Sequence, residues 1–285
     1  METILRFYKR GVALTALALV LVSGTSASAT APLSAAIAGD SFISGQGGTE
    51  AGPYLPGTDT ESNKCHRSTT SPVRLLAMTR WIEIKADASC SGATTANMTT
   101  VGQYNEPAQI TQLPPDVDRI YLMISGNDAL FGKLLGCFLQ YNCDQTPMPA
   151  DSFEAIRLLD SSLDAVSTQI KQRAPKARVV VQLYPRVLPP TDSRSTPPGC
   201  AAWLNRGELE LGNVVQDKLN NKITAWAKRN NFRAVDASGQ FKGHSLCDGK
   251  RSWFYQPNPA DPWSTAHPTL EGRSAMAIAF ARGTF

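Results

Sequence analysis

Clustered positive charge is missing from this sequence of 285 residues. Its 28 Lys and Arg residues are scattered among 24 Asp and Glu residues, which leaves a formal net charge of only +4. Proteins that bind nucleic acids usually carry a continuous basic face. The sequence therefore excludes a nucleic-acid partner.

Long apolar runs are missing as well. The apolar run near the N-terminus, residues 11–22, would span only about 18 Å as a helix, whereas a membrane core is about 30 Å thick. It follows three basic residues and precedes a small-residue segment that ends at Ala29, which is the layout of a secretory signal peptide. We expect residues 1–29 to be removed as a signal peptide and the protein to be secreted; an uncleaved membrane anchor is the alternative.

The mature chain, residues 30–285, is long enough for a single large domain. No linker rich in Pro, Ser or Gly divides it, and it has no internal repeat or low-complexity tract. Removal of residues 1–29 leaves 25 basic and 23 acidic residues, a net charge of +2. A domain of this size buries roughly 70–75% of its unfolded surface, so its core does not depend on disulfides.

The six cysteines contain no C-x-x-C pair, the spacing typical of a structural zinc site. All six lie in the exported part, where oxidising conditions favour disulfides, so we expect three bridges. The sequence does not choose among the 15 possible pairings. A metal site built from Cys65, His66, His244 and Cys247 is the alternative. Because exported thiols oxidise readily, we expect no metal, and the chemistry below requires no cofactor.

Strand and helix patterns alternate along the chain. Apolar segments typical of strands cover residues 32–39, 119–125, 177–183 and 232–235. Apolar residues at helical spacing cover residues 71–84, 150–173 and 206–229, and a further helical pattern ends at Phe280. This alternation predicts a single-domain three-layer α/β/α sandwich with a mainly parallel sheet. In such sheets the carboxyl ends of the strands build the ligand crevice.

Ser41 stands where the first apolar strand gives way to a turn that ends at Gly45. A serine hydroxyl is a weak nucleophile and needs a base, and the chain has only three histidines. We favour His267, which precedes a helical pattern and can face a cleft, because a histidine takes and returns a proton near neutral pH. An N-cap role for Ser41 is the alternative. Ile43 breaks the G-x-S-x-G pattern, which argues against the α/β-hydrolase fold.

Several short motifs follow one another in a characteristic order. They are Gly39-Asp40-Ser41, Cys65-His66-Arg67-Ser68, Cys90-Ser91-Gly92-Ala93, Gly126-Asn127-Asp128, Tyr184-Pro185, Gly243-His244 with Cys247, and His267-Pro268. As a set they resemble the blocks of the SGNH (GDSL) hydrolase family, in particular its secreted, disulfide-bearing bacterial lipases and esterases. The resemblance covers nearly all of the mature chain and implies an SGNH or flavodoxin-like fold.

The resemblance also implies roles for several of these residues. Ser41 is the expected nucleophile and His267 the expected base. The oxyanion would be bound by the backbone N–H groups of Ser41 and Gly92 and by the side-chain amide of Asn127. A plain turn glycine and a turn-capping amide are the alternatives for the last two. The family further implies three sequential disulfides, Cys65–Cys90, Cys137–Cys143 and Cys200–Cys247.

The third member of a catalytic triad stays open. The family usually has an aspartate three residues before the histidine, and this sequence has Ser264 there. Either Asp261 orients the imidazole, or a backbone carbonyl near Ser264 does so in a Ser–His dyad, which is the arrangement we favour. Asp40, although adjacent to the serine, is expected to be structural, and the other two histidines are expected to pack in loops.

These observations predict a secreted carboxylic ester hydrolase, a lipase or esterase, that forms an acyl-enzyme on Ser41. Its partner is a small-molecule or lipid ester, with at most transient contact with a lipid interface, and we expect the chain to act as a monomer. Phospholipase activity and polysaccharide deacetylation at the same site are alternatives. So is a non-catalytic binding module in which Ser264 marks a decayed triad.

Overall fold

The computed structural model describes residues 31–140, 142–191 and 197–285, so the expected signal peptide lies outside the described residues. Within them, five strands form one sheet. The strands are β1 (Leu33–Gly39), β2 (Ile82–Asp87), β3 (Arg119–Met123), β4 (Arg178–Gln182) and β5 (Arg233–Val235). They are parallel throughout and lie in the order β2-β1-β3-β4-β5.

Seven α-helices accompany the sheet in the described ranges. They are α1 (Ser41–Ser44), α2 (Pro72–Ala77), α3 (Thr95–Thr99), α4 (Phe131–Phe138), α5 (Met148–Arg173), α6 (Arg206–Arg229) and α7 (Leu270–Thr284). Short 3-10 helices cover Thr49–Ala51, Gln109–Gln112, Cys143–Gln145 and Leu246–Arg251. No helix of the described segments is both long and apolar enough to cross a membrane.

Helices cover both faces of the sheet. Parallel strand connections are right-handed, and the order of strands reverses at β1, so α2 lies on the face opposite to α5 and α6. Accordingly α2 packs against α7, and α5 packs against α6. The core fills both interfaces, and β3 is buried along its whole length. The predicted three-layer α/β/α sandwich with a parallel sheet is confirmed.

The start of α6 follows from the local sequence. The predicted helix over residues 206–229 is confirmed at both ends, and Asn205 caps its start. The Asn205 side chain accepts from the backbone N–H of Glu208 at 2.9 Å, and the Glu208 carboxylate accepts from the backbone N–H of Asn205 at 2.8 Å. This reciprocal capping box pairs two N–H groups that would otherwise have no partner.

The predicted helix over residues 71–84 is wrong in its second half. Helix α2 ends at Ala77, and the edge strand β2 follows after a short turn. Arg80 in that turn has φ +63°, a left-handed conformation that an α-helix does not contain. Met78 and Trp81 are 66% and 55% exposed, so they do not extend the buried helix face. Met78 and Trp81, which continue the apolar spacing of the helix in the sequence, lie between the end of α2 and the start of β2.

The six cysteines form the disulfides Cys65–Cys90, Cys137–Cys143 and Cys200–Cys247. This is the set that the resemblance implies. Cys65 and Cys247, the two thiols of the alternative metal site, are thus oxidised in separate bridges. A disulfide sulfur does not act as a thiolate ligand, so the structure offers no support for that alternative.

Candidate active site

The strand order has a switch point between β1 and β3, the place where crevices open in doubly wound sheets. Ser41 begins α1 two residues after β1 ends. Asn127 follows the adjacent β3, and Gly92 follows β2 on the other side of β1. The sheet therefore brings these three residues, which are far apart in sequence, to the same edge.

Gly39 fixes the turn that presents Ser41. It has φ +135°, and a Cβ atom at this position would lie 2.0 Å from the carbonyl oxygen of Met123. Asp40 caps α1 by accepting from the backbone N–H of Phe42 at 3.0 Å. Ser41 is thereby the first residue of the helix, and its side-chain hydroxyl makes no hydrogen bond within the described residues. The hydroxyl is available to a base.

Three N–H donors lie on the turns that meet at this edge. Within the described part of the chain, the backbone N–H groups of Ser41 and Gly92 have no acceptor. Gly92 is exposed and has φ +77°, in a turn that the Cys65–Cys90 disulfide anchors. The amide Nδ2 of Asn127 donates to the carbonyl oxygen of Ala93 at 2.9 Å. This bond holds the amide beside the Gly92 turn and leaves its second hydrogen for another acceptor.

The loop that carries His267 meets α1. The imidazole centroid lies 5.4 Å from the ring centroid of Phe42, the residue after Ser41. Gln46, just beyond α1, donates through Nε2 to the carbonyl oxygen of Trp263 at 2.5 Å. No hydrogen bond joins the imidazole to Ser41 among the described residues. In free enzymes such contacts are often long and tighten only when substrate binds.

The structure places the Asp261 carboxylate on a backbone group rather than on the imidazole. Its Oδ1 accepts from the backbone N–H of Ser264 at 3.3 Å, and its carbonyl oxygen accepts from the Ser264 hydroxyl at 3.0 Å. Asp261 thus stabilises the turn before the histidine. The Nδ1 atom of His267 has no hydrogen-bond partner among the described residues.

Partial loss of solvent keeps the imidazole of the half-buried His267 neutral. Desolvation lowers the pKa of His267 from 6.5 to about 4, the backbone carbonyls of Ser264 and Thr265 act in the opposite direction, and the Arg273 guanidinium lowers the pKa further. Arg273 is fully buried and donates through Nε to the carbonyl oxygen of Pro268 at 3.1 Å. The neutral imidazole is the form that accepts a proton.

This low pKa predicts an unusual acid limb of activity. We expect the fall in kcat/KM that comes from protonation of His267 to have its midpoint near pH 4, below any change near pH 7 as Asp40 titrates. A histidine in water would lose its basicity near pH 6.5. Initial rates on p-nitrophenyl acetate at low substrate concentration measure the acid limb, with circular dichroism at each pH as the control for folding. Near-complete loss of kcat/KM already at pH 5 in folded protein would contradict the expectation.

Asp40 is buried and accepts a hydrogen bond from the backbone of α1, as expected for a structural residue. Burial raises the pKa of Asp40 to about 7, although hydrogen bonds from Tyr184 and the backbone of Phe42 act against the shift. Its Oδ2 accepts from the hydroxyl of Tyr184. The resemblance implies no role for the Tyr184-Pro185 motif, and the structure brings its tyrosine directly to the nucleophile turn.

The other two histidines are held by loop contacts, as expected. His66 stacks on Tyr54 with ring centroids 4.9 Å apart, and its Nε2 lies 3.3 Å from a carboxylate oxygen of Asp59. His244 stacks on Trp253 at 4.0 Å with the two rings almost parallel. Neither makes a hydrogen bond to Ser41 in the described residues.

Known proteins share this fold over nearly the whole chain. An extracellular lipase of Streptomyces rimosus superposes with a TM-score of 0.72 at 28% identity, covering 88% of this chain and 99% of that one. A phospholipase A1 of Streptomyces albidoflavus superposes with a TM-score of 0.71 at 26% identity, covering 89% and 100%. The fold therefore defines the class of the protein as an SGNH-type hydrolase.

Sequence comparison gives the family. The model of the GDSL-like lipase/acylhydrolase family matches residues 37–275. A Streptomyces rimosus lipase is 31% identical over 239 residues, covering 83% of this chain and 81% of that protein, and lipase 1 of Streptomyces coelicolor is 28% identical over 248 residues. The chain belongs to the GDSL-like lipase/acylhydrolase family and is a carboxylic ester hydrolase. The prediction made from the ordered motifs is confirmed at this level.

Proposed function

We propose that this protein is a secreted serine lipase or esterase that forms its acyl-enzyme on Ser41. The observation that carries the proposal is the position of Ser41 at the switch point of the sheet, between unpaired N–H donors and a neutral histidine. Nucleophile, oxyanion donors and base are the groups that acyl transfer requires.

The proposed reaction has two halves. In the first, the Ser41 oxygen attacks the ester carbonyl carbon, and His267 takes the hydroxyl proton and returns it to the leaving alcohol. The negative charge on the former carbonyl oxygen is bound by the N–H groups of Ser41 and Gly92 and by the Asn127 amide. In the second half, water attacks the acyl-enzyme, His267 takes its proton, and the carboxylic acid leaves as Ser41 recovers its hydrogen.

We further propose that His267 and Ser41 act as a dyad. The favourable groups around the imidazole are backbone carbonyls of Ser264 and Thr265, which raise its pKa, whereas the Asp261 carboxylate binds the backbone of Ser264. In the proposed dyad, one of these carbonyls accepts from the Nδ1–H during turnover, since Nδ1 has no partner within the described residues of the free enzyme, and it fixes the tautomer without contributing a full negative charge.

The dyad predicts a small effect of Asp261→Ala. We expect kcat to fall less than about tenfold, because only the support of the turn is lost, whereas removal of a triad aspartate costs about 10,000-fold. Steady-state rates on p-nitrophenyl esters measure the effect, with Asp59→Ala as a control for loss of one loop carboxylate. A thousandfold loss for Asp261→Ala alone would show that the carboxylate reaches the imidazole during turnover.

Phospholipid is a second candidate substrate class. The specific support is the likeness to the phospholipase A1 of Streptomyces albidoflavus, which extends over 89% of this chain. Trp263, whose carbonyl is tied to Gln46, leaves its indole 74% exposed four residues before His267. An exposed aromatic ring at the rim of a site suits transient contact with a lipid surface.

Hydrolysis of esters of graded chain length tests the proposed function. We expect turnover of p-nitrophenyl acetate through palmitate, with release of fatty acid from triacylglycerol emulsions or from phosphatidylcholine vesicles showing which lipid is preferred. Release of acetate from an acetylated polysaccharide with no hydrolysis of longer esters would contradict the lipase and esterase assignment. An inert, correctly folded wild type would favour a non-catalytic module.

Secretion and a monomeric state complete the proposal. The three disulfides are typical of proteins that mature in an oxidising compartment, and the N-terminal sequence has the layout of a signal peptide. One chain supplies every group of the proposed site, so a monomer suffices for activity. Mass spectrometry of the culture supernatant and analytical ultracentrifugation test the two points.

A further inference from the structure

Tyr184 follows β4 and lies 4% exposed under the proposed site. Its backbone is clamped by Asn220, which accepts from the Tyr184 N–H at 3.0 Å and donates to its carbonyl oxygen at 2.9 Å. At the other end of the side chain, the hydroxyl oxygen accepts from the backbone N–H of Gly126 at 2.7 Å and donates to the Asp40 carboxylate. Tyr184 thus connects α6, which carries Asn220, with two turns of the site.

With Asp40 ionised, the direction of these bonds is determined, because a carboxylate can only accept. The Gly126 N–H can only donate, so the single hydroxyl hydrogen of Tyr184 is directed to Asp40. The other oxygen of Asp40 accepts from the N–H of Phe42 at 3.0 Å. One continuous chain of hydrogen bonds therefore runs from Gly126 through Tyr184 and Asp40 to Phe42.

This chain of hydrogen bonds joins the two turns on which the proposed chemistry depends. Gly126 precedes Asn127, whose amide is a proposed oxyanion donor, and Asp40 precedes Ser41. The tyrosine ring also sits tightly on the first turn, since a Cβ atom on Gly126 would lie 2.9 Å from it. The hydroxyl of Tyr184 therefore sets the separation of the two turns.

Two further features show why these turns need a support. Ser125, the residue before Gly126, has φ +95° and is fully buried, a backbone conformation that surrounding structure must hold in place. Phe42 packs edge-on against the Tyr184 ring at 5.4 Å, and the same Phe42 ring lies 5.4 Å from His267. The tyrosine thus supports the nucleophile turn, the amide turn and, through Phe42, the histidine.

We propose that Tyr184 is a positioning residue for ester hydrolysis, which holds Ser41 and Asn127 at the separation that the tetrahedral intermediate requires. The inference rests on the proposed function of Ser41. Tyr184 contacts neither the nucleophile nor the oxyanion in this arrangement, so its loss should affect the transition state more than the binding of substrate. Misplacement of reacting groups by about 1 Å can cost about a hundredfold in rate.

Tyr184→Phe tests the proposal, with Tyr121→Phe as the matched control. Tyr121 is also fully buried in the sheet, and its hydroxyl pairs with the Thr284 hydroxyl at 2.8 Å, away from the site. We expect Tyr184→Phe to lower kcat about 10–100-fold with KM within about threefold of wild type. Tyr121→Phe should keep kcat within about twofold, because it loses a comparable buried hydrogen bond without moving a site turn.

A second variant, Asp40→Asn, changes the group that accepts the hydrogen bond from the Tyr184 hydroxyl. The amide NH₂ group cannot accept the tyrosine hydrogen, so the connection to Tyr184 or the cap on Phe42 is lost. We expect a fall in kcat similar to that of Tyr184→Phe, and a double variant that is hardly worse than either single one, because both changes break one connection. If Tyr184→Phe does not fold, Asp40→Asn carries the test with the aromatic ring kept.

The outcomes separate this inference from the proposed function. Equal kcat values for Tyr184→Phe and Tyr121→Phe, or a loss confined to KM, would refute the positioning role while Ser41-dependent activity stands. Multiplicative losses in the double variant would also refute it. An active Ser41→Ala variant, by contrast, would overturn the proposed function itself.

Discussion

Replacement of Ser41 by alanine will abolish turnover, with kcat lower by about 10,000-fold or more. The reason is chemical: without the hydroxyl no acyl-enzyme forms, and only water activated by the histidine can attack the ester. The backbone N–H of residue 41 remains, so substrate binding should persist. Steady-state hydrolysis of p-nitrophenyl butyrate, with burst kinetics at high enzyme concentration, measures the loss of both the turnover and the acylation phase.

Ser44→Ala is the matched control for this result. Ser44 lies in the same short helix and is buried, and within the described residues its hydroxyl donates only to the carbonyl oxygen of Ser41 at 3.2 Å. We expect it to retain activity within about fivefold, since one long local hydrogen bond is lost. If both variants lost activity equally, the effect would come from disruption of α1 instead of from removal of a nucleophile.

Replacement of His267 by alanine will lower kcat by about 1,000- to 10,000-fold. Within the described residues the Ser41 hydroxyl has no other hydrogen-bond partner to take its proton, and the adjacent Asp40 is occupied by the Phe42 N–H and the Tyr184 hydroxyl. Removal of the ring also leaves a space, so added imidazole should restore part of the rate in a concentration-dependent way. Combined with Ser41→Ala, the second change should cost almost nothing more, since the two residues act as a unit.

His244→Ala is the matched control for His267→Ala. It removes an imidazole that stacks on Trp253 in a loop and makes no hydrogen bond to Ser41 in the described chain. We expect activity within about twofold of wild type. Loss of the stacking contact should instead lower the thermal stability. A large loss of kcat for His244→Ala, or full activity for His267→Ala, would contradict the assignment of the base.

The elements that could be predicted are those with a complete local signal. Strand β3 reads as a continuous apolar run because it is covered on both faces, and α6 has a capping box at its start as well as an apolar face. The edge strand β2 carries only a weak alternation of buried and exposed residues, and only residues 78–81 separate it from a short helix. Local spacing alone therefore joined the two into one false helix.

The sequence predicts the members of the candidate site but only some of their contacts. Ser41 and Asn127 follow predicted strands, the ordered motifs add Gly92, and parallel strands bring their carboxyl ends together. The contact between Tyr184 and Asp40 joins residues 144 positions apart and leaves no local pattern. The contact of the Asp261 carboxylate with the Ser264 backbone depends on how one turn closes, which composition and spacing do not determine.

Labelling with a fluorophosphonate tests the central claim most directly, because this reagent reacts preferentially with an activated serine. The purified, oxidised protein, the Ser41→Ala variant and the Ser44→Ala variant are treated together and measured by intact mass, and the modified peptide is sequenced. We predict one adduct per chain on Ser41 in the wild type and in Ser44→Ala, and none in Ser41→Ala. An adduct on another serine, or equal labelling of Ser41→Ala, would contradict Ser41 as the nucleophile.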